Sequence, residues 1–568
     1  MKDVKLLRDE IDLVDKQLVE LFEERLKISK QIGEYKIVND LPVYDAEREQ
    51  EKLDMVSLQA DETMRPYAVR LYKSLAEISK SYQYAIRDEV DENYALIGGS
   101  VKHSLSSKLH ALIGDYNYDL LEAKNEKELA EYLNDANYSG FNITHPYKET
   151  VIKYLDDISD EAKSINAVNT VKRMSDGRLV GFNTDVYGFR FLVNRDITGW
   201  KAMVFGTGGG ARAAVHGLKS LGADPIYVVT RDVNAAIDKL GCNYNIIGYN
   251  DLREHKDARL IVNATPVGMY PENGSSPLDG KLINTRLMKN LEIAIDLIYN
   301  PYRTKFLQDA ERCGGKENKL VFGKFLRQSR VYTISGLDML IRQALFSKSI
   351  WLDISDHSDD EKLVREVKRV LLSEQLNIIT IGMPGSGKTS VSRMLARILE
   401  RPFIDIDKET EKLMGMSVSE ALSEGGIGEE AFRNYETQAL TNACKLSGCV
   451  IASGGGSVLR PRNRDIIKEN AIVVFIKRPT SSLSQKNRPL SQRDGVEKLY
   501  KERYSIYRKM SDVTVSNIST FGETRNKYGD KNSYIYDIRC FAYRIQRKTQ
   551  TFLDDMLEAE IAICESAK

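Results

Sequence analysis

The chain has 568 residues, several times the ~150 typical of one domain, so two to four separate cores are expected. Its 82 basic and 82 acidic side chains balance, which leaves no global field to draw nucleic acid or an anionic membrane. A charged start, no apolar run of about 18 residues and six cysteines without a Cys-x-x-Cys argue against an export signal, a membrane span, a disulfide framework and a zinc site. The expectation is a cytoplasmic protein with reduced thiols, Cys444 and Cys449 being core residues.

Residues 1–88 read as an all-helical domain, with Gly33 and Pro42 as breakers and Pro66 as the start of a later helix. Ile11, Val14, Leu18, Leu21, Ile28 and Ile32 recur at the spacing of a buried face. Arg8, Arg25 and Lys36 fall on the same stripe. A cation on a core face is costly unless it is paired or meets a ligand. One such residue is readily explained by a snorkelling stem or an internal ion pair, whereas three together suit an anion such as a dicarboxylate.

With Asp45, Arg48, Glu49, Ser79 and Gln83 downstream, this set resembles the all-helical chorismate mutases. The resemblance implies that Arg8, Arg25 and Arg48 hold two carboxylates and that Lys36 and Gln83 meet the ether oxygen. Asp45 and Glu49 would anchor the hydroxyl side, and Ser79 would help close the site. Such a rearrangement needs orientation and preset donors rather than a nucleophile or metal. In the family two chains share the site, so a homodimer through this domain is expected.

From Tyr94 short β-rich runs alternate with helical stretches, the pattern of α/β domains with parallel sheets. Val204-Phe-Gly206-Thr-Gly208-Gly209-Gly210 follows a strand and opens a helix, where glycines let the backbone approach a pyrophosphate. The next strand ends in Thr230-Arg231, a cation suited to the 2′-phosphate of NADP, although Asp232 follows at once. Together with Gly140-Phe-Asn-Ile-Thr144-His-Pro-Tyr-Lys148, Asn169 and Asn183-Thr184-Asp185, these motifs resemble shikimate dehydrogenase over about 91–353. The substrate part would be about 91–195 plus 336–353, and the Rossmann-like part about 196–335.

That resemblance makes Lys148 and Asp185 the catalytic pair. Ser104, Ser106, Thr144, Asn169, Tyr299 and Gln343 would bind substrate, and Asn263, Met269 and Gly336 would lie on the nicotinamide side. Ser100 and Ser107 stand where the family usually has proline, and Thr230-Arg231-Asp232 replaces its usual Asn-Arg-Thr.

A charged stretch, Asp353–Glu366, reads as a linker leading into a helix, the linker segment being 354–375, and a second α/β series follows. Gly382-Met-Pro-Gly385-Ser386-Gly387-Lys388-Thr389 is a complete phosphate-binding loop between a strand and a helix. Asp405 and Asp407 read as two acids on one side of a strand end. With Arg433, Gly454-Gly455-Gly456, Arg488 and Arg503 they resemble shikimate kinase over about 376–520.

By that resemblance Asp407 holds the attacked hydroxyl, and Arg433, Arg503 and the glycine turn hold the ring and its carboxylate. The loop through Ser390 takes ATP, Thr389 and Asp405 take Mg²⁺, and Arg488 enters with a lid at about 480–495. Residues 521–568 read as a helical extension. The whole suggests a trifunctional chain using NADP(H), ATP and Mg²⁺, with small-molecule partners and neither nucleic acid nor membrane. Two alternatives stand beside it: a mutase part that only senses ligand or dimerises, and a dehydrogenase that acts on quinate.

Overall fold

The computed structural model describes residues 4–38, 46–59, most of 61–79, 92–279, 288–312, 331–355, 360–483, 495–517 and 531–566, apart from 103, 194 and 241–243. They sort into two compact units, 1–156 with 171–180 and 157–170 with 181–568. The expectations for Asp45, Gln83, Arg488, most of the lid, Pro42 and Pro66 lie outside the described residues, as does the side chain of Glu49.

The first unit opens with a continuous helix, Val4–Val38. Gly33 does not break it, because one interior glycine costs only about 1 kcal/mol against a helix of this length. The apolar stripe is not buried as its spacing suggests: Ile11 is 59% exposed, Leu21 64% and Ile28 52%. Among the described residues of one chain nothing covers that face. Helix Ala46–Gln59 follows, and helical residues recur between 65 and 79. Beyond them the parallel strands Asn93–Gly98, Asn117–Glu122 and Tyr138–Ile143 pair with Asn93–Gly98 in the middle.

In the second unit, the parallel strands Ala202–Phe205, Ile226–Thr230, Asn245–Gly248, Leu260–Asn263, Ile293–Asp296 and Tyr332–Ser335 make one sheet. Its middle strands, such as Leu260–Asn263, are buried throughout, because helices cover both faces of a parallel sheet. Another sheet runs in the order Phe403–Asp405, Val450–Ala452, Asn377–Ile381, Ala471–Lys477, Val513–Ser516, again all parallel. Cys444 and Cys449 sit in its core, as expected.

Two readings need correction here. The helix expected after the charged stretch is Asp360–Gln375, which begins earlier than expected and takes up most of the segment assigned as linker; its apolar Val364, Val367, Leu371 and Leu372 are buried. It packs on helix Leu337–Trp351, with Arg342 paired to Glu361 and Lys368 to Asp338. Asp407 is not a strand residue either: Asp405 caps helix Ile406–Met414, and Asp407 lies in its first turn.

The C-terminal helix Lys531–Ser566 packs against helix Lys388–Ile398, helix Asp360–Gln375 and the edge strand Val513–Ser516. It buries Phe541, Ile545, Phe552, Leu553, Met556 and Leu557. Each large apolar side chain is worth roughly 1.5–3 kcal/mol, and a whole domain is stable by only about 5–15 kcal/mol. A chain ending at residue 517 is therefore expected to lose the cooperative thermal transition of the last sheet while keeping the helical signal of the first unit. Calorimetry beside the full-length protein checks this.

Candidate functional site

In the first unit, Arg25 reaches the helical residues near 79: its Nη1 donates to the Leu75 carbonyl at 2.9 Å and to Ser79 Oγ. Ser79 is buried. Lys52, which motif reasoning passed over, is held below its ordinary pKa by burial and by the charges of Arg25 and Arg48. The structure thus brings Arg25, Arg48, Lys52 and Ser79 together, a cationic cluster suited to an anion. Arg8 lies exposed and Lys36 half-buried on the long helix.

After strand Tyr138–Ile143 the chain turns through Thr144 and a cis His145–Pro146 bond to a half-buried Lys148. Ser104 and Ser106 hydrogen-bond each other at 3.0 Å on the approach to helix Ser106–Ile113.

In the second unit, Asn169 is fully engaged. Its Nδ2 donates to Asp185 Oδ1 at 2.9 Å and to Thr184 Oγ1 at 3.0 Å, and its Oδ1 accepts from the Thr184 amide at 2.7 Å. Thr170, Ser347 and Gln343 extend this network from helix Leu337–Trp351. It holds a buried carboxylate, Asp185, at a fixed orientation in the first turn of helix Thr184–Arg190. Thr170 and Ser347 carried no motif signal, because they meet across 177 residues of sequence.

The glycine loop fits a pyrophosphate. Gly206 has φ +112°, and a Cβ there would come within 3.0 Å of the Ala264 carbonyl. Gly208 caps helix Gly209–Ser220 with no side chain, leaving its first amides for an anion. Gly210 lies in that helix, whereas Gly336 has no room for a side chain against the Leu297 backbone. At the end of the next strand Asp232 accepts from the Ala235 amide at 3.0 Å and so caps a helix, while Arg231 stays exposed beside Thr230. The acid after Arg231 is thus occupied structurally. Asn263 is buried and Met269 exposed on the loop that follows, and burial raises the half-buried Tyr299 phenol.

The third set is the most complete. Lys388 Nζ lies across the phosphate loop, donating to the carbonyls of Gly382 at 3.0 Å and Met383 at 3.1 Å. Ser386 Oγ is buried without a protein partner, which suits a loop shaped for phosphate. Asn517 donates to the Ser386 carbonyl at 2.8 Å and Arg478 to that of Gly385 at 3.2 Å; neither was read from the sequence. Gly387 has φ +97°, Thr389 is half-buried and Ser390 exposed. Asp405 spends one oxygen on the Asp407 amide at 3.2 Å.

Why three glycines follow strand Val450–Ala452 is now physical. A Cβ on Gly454 would collide with the carboxylates of Glu436 and Asp407, one on Gly455 with Pro384, and one on Gly456 with the Arg433 guanidinium. Glu436 is 1% exposed, pairs with Arg433 at 2.6 Å and accepts from Ser457 at 2.7 Å. Arg503 donates to the Gly455 carbonyl at 3.2 Å, and Tyr507 donates to the same oxygen. Burial pushes the Asp407 carboxyl up to about 6; Lys388 opposes this, and Glu436 and Asp405 add to it.

A dinucleotide-type parallel-sheet fold with a buried carboxylate, continuous with a phosphate-loop kinase fold, defines an oxidoreductase joined to a phosphotransferase. The chain is 36% identical over 287 residues to the shikimate dehydrogenase (NADP(+)) of Clostridium perfringens strain SM101, covering 48% of this chain and 98% of that relative. It is also 36% identical over 270 residues to the shikimate dehydrogenase (NADP(+)) of Clostridium beijerinckii, covering 46% and 92%. It belongs to the shikimate dehydrogenase family.

Family models match residues 7–84 as chorismate mutase type II, 96–171 as the shikimate dehydrogenase substrate binding domain, and 384–524 as shikimate kinase. Among solved structures, a chorismate mutase/shikimate 5-dehydrogenase fusion protein from Clostridium acetobutylicum is 36% identical over 49% of this chain and 97% of that one, with a TM-score of 0.43. The chain therefore carries the domains of three shikimate-pathway enzymes: a mutase, a dehydrogenase and a kinase.

The Asp407 environment generates a test. Between its ordinary 3.8 and about 6 the folded state binds a proton that the unfolded state does not. The group thus adds stability at low pH that is lost as pH rises through 6. Asp407→Asn should flatten the fall in melting temperature of the last domain as pH rises to about 6, an effect that solvent exposure of the side chain keeps small, while its phosphotransfer falls at least ~100-fold. In the unsubstituted protein kinase kcat/KM should decline below about pH 6 as the carboxylate is protonated. Thermal scans and a pH series of kinase rates check both.

Proposed function

We propose that the chain catalyses three reactions: rearrangement of chorismate to prephenate, NADPH-dependent reduction of 3-dehydroshikimate to shikimate, and ATP-dependent phosphorylation of shikimate to shikimate 3-phosphate. The observation that carries this reading is the convergence of the exposed Asp407 carboxyl with buried Arg433 and Arg503 around the Gly454–Gly455 backbone, drawn from nearly a hundred residues of sequence, beside Lys388. The working boundaries are 1–88, 91–353 and 376–520, followed by the extension 521–568.

In the kinase, Asp407 accepts the attacked hydroxyl and Arg433 and Arg503 hold the substrate carboxylate. Glu436 holds the Arg433 guanidinium in place against the glycine turn. Gly385 to Ser390 cradle phosphates, Thr389 and the free oxygen of Asp405 suit Mg²⁺, and Arg488 belongs to the lid. ATP supplies the phosphoryl group, and the residues supply orientation and charge neutralisation.

In the dehydrogenase, Lys148 and Asp185 form the proton-handling pair, Ser104, Ser106, Thr144, Asn169, Tyr299 and Gln343 bind substrate, and Arg231 meets the 2′-phosphate. NADPH supplies the hydride. An arginine–phosphate contact is worth roughly 1.5–3 kcal/mol. Arg231→Ala is therefore expected to raise KM for NADPH about 10- to 100-fold and leave KM for NADH nearly unchanged, as read by dehydrogenase initial rates with each cofactor.

In the mutase, Arg8, Arg25, Arg48, Lys36, Asp45, Glu49, Ser79 and Gln83 bind the substrate. The exposed stripe on helix Val4–Val38 supports a homodimer in which a second copy covers it. Among the described residues no helix is long and apolar enough to cross a membrane, which accords with a cytoplasmic setting. The test is direct: purified protein is given chorismate, 3-dehydroshikimate with NADPH, and shikimate with ATP and Mg²⁺. Three turnovers are expected; Lys36→Ala should remove only prephenate formation, and Lys148→Ala only the reduction. A monomer by sedimentation that retained full mutase activity would refute the dimer.

A further inference from the structure

The loop that leaves strand Leu260–Asn263 is fixed at its root by buried hydrogen bonds. Asn263 Oδ1 accepts from the amide of Thr265 at 3.1 Å and from its hydroxyl at 2.7 Å. Asn263 Nδ2 donates to both oxygens of Asp296 at 3.1 and 3.2 Å. Asp296 also accepts from Thr304 Oγ1 at 2.6 Å and from the Ile298 amide at 3.0 Å. Gly268, at φ +98°, brings the loop back on itself, so close that a Cβ would sit 2.7 Å from the Ser275 carbonyl. Residues 268 and 275 are therefore one rigid crossing, with Met269 between them.

The far side of this crossing is held by another domain. The loop meets Glu469, the last residue of helix Pro461–Glu469: a Cβ on Gly274 would sit 3.6 Å from its Oε1, and its carboxyl group, pushed up to about 8 by burial, takes hydrogen bonds from the Asn273 side chain and the Gly274 amide. That helix lies inside the shikimate kinase match. Glu469 is 4% exposed, so these bonds are sheltered from water. The helix end is itself locked onto the dehydrogenase: the Arg303 amide donates to the Glu469 carbonyl at 2.9 Å, the Tyr302 amide to Asn470 Oδ1 at 3.4 Å, and Gln308 Nε2 to the Asp465 carbonyl at 3.2 Å. The carboxylate thus cannot swing away without breaking backbone contacts on both sides.

We propose that Glu469, a kinase residue, is a positioning residue for the dehydrogenase: it braces the 263–275 loop so that Asn263 and Met269 are preset for the nicotinamide end of the cofactor. The inference rests on the reading above that this loop lines the nicotinamide side. Binding a cofactor against a loose loop costs the ordering of that loop, whereas a braced loop is already ordered. The kinase domain in this way completes the cofactor site of its neighbour.

The test uses the full chain with Glu469→Gln, Glu469→Ala and Asn273→Ala, none of which touches the kinase or mutase machinery. Each variant is expected to raise KM for NADPH roughly three- to tenfold, the scale of one or two lost buried hydrogen bonds, with dehydrogenase kcat within about twofold. Amide exchange across 264–279 should quicken, and kinase and mutase rates should hold. The double variant Glu469→Ala with Asn273→Ala should be no worse than Glu469→Ala alone, because loss of the carboxyl group already removes the Asn273 bond. Exchange and KM both at the unsubstituted values would overturn the brace. Faster exchange with an unchanged KM would leave the brace standing and sink the nicotinamide reading of the loop. Should Glu469→Ala abolish kinase and dehydrogenase together through misfolding, Asn273→Ala decides, since it cuts the side-chain bond from the loop side and leaves the helix intact.

Discussion

Parallel strands buried on both faces can place polar chemistry only where they end, and both sheets of the second unit obey that constraint. Gly206 follows Ala202–Phe205, Asn263 ends Leu260–Asn263 and Asp296 ends Ile293–Asp296. In the last domain the phosphate loop follows Asn377–Ile381, Asp405 ends Phe403–Asp405, and the glycine turn follows Val450–Ala452. Strand interiors such as Ile378, Ile379, Val450 and Ile451 are sealed in apolar cores. The carboxyl edges are left to hold carboxylates, amides and glycines, and there most buried groups are bonded, Ser386 Oγ in the phosphate loop being an exception.

The three sets are built with different degrees of closure. Glu436 and Arg433 are buried against a glycine turn that leaves no space for side chains, with Arg433 fixed by Glu436 and Arg503 by the Gly455 carbonyl, while Asp407 beside them opens to solvent. Asp185 is oriented by a chain of amide and hydroxyl groups, a quieter arrangement that sets direction more than charge. The cationic cluster of the first unit is the most open, with Arg48 exposed and Lys52 only partly desolvated. Openness there agrees with an apolar helix face that one chain leaves uncovered.

The connections between domains are structural parts in their own right. Helix Asp360–Gln375 joins the dehydrogenase helix Leu337–Trp351 through Arg342–Glu361 and Lys368–Asp338, and on its other side meets the C-terminal helix through Arg369–Asp554. The C-terminal helix in turn packs on the helix that carries Lys388 and Thr389. A segment rich in charge can look like a solvated tether and still bury one face, since its apolar residues recur at helical spacing between the charges.

Sequence by itself determined the three folds, their order and most of the chemistry-bearing residues, because each motif is a short contiguous run tied to one strand end or one helix start. The phosphate loop, the dinucleotide glycines and the Asn183-Thr184-Asp185 turn are of this kind. It misjudged Asp407 as a strand residue, since a spacing of two cannot tell a strand from the first turn of a helix capped by its neighbour. Only tertiary structure decided which distant groups meet: Glu436 with Arg433 and Ser457, Ser347 with Thr170, Glu469 with Gly274. Those partners lie up to 195 residues apart, and packing of whole elements, rather than any local preference, sets their approach.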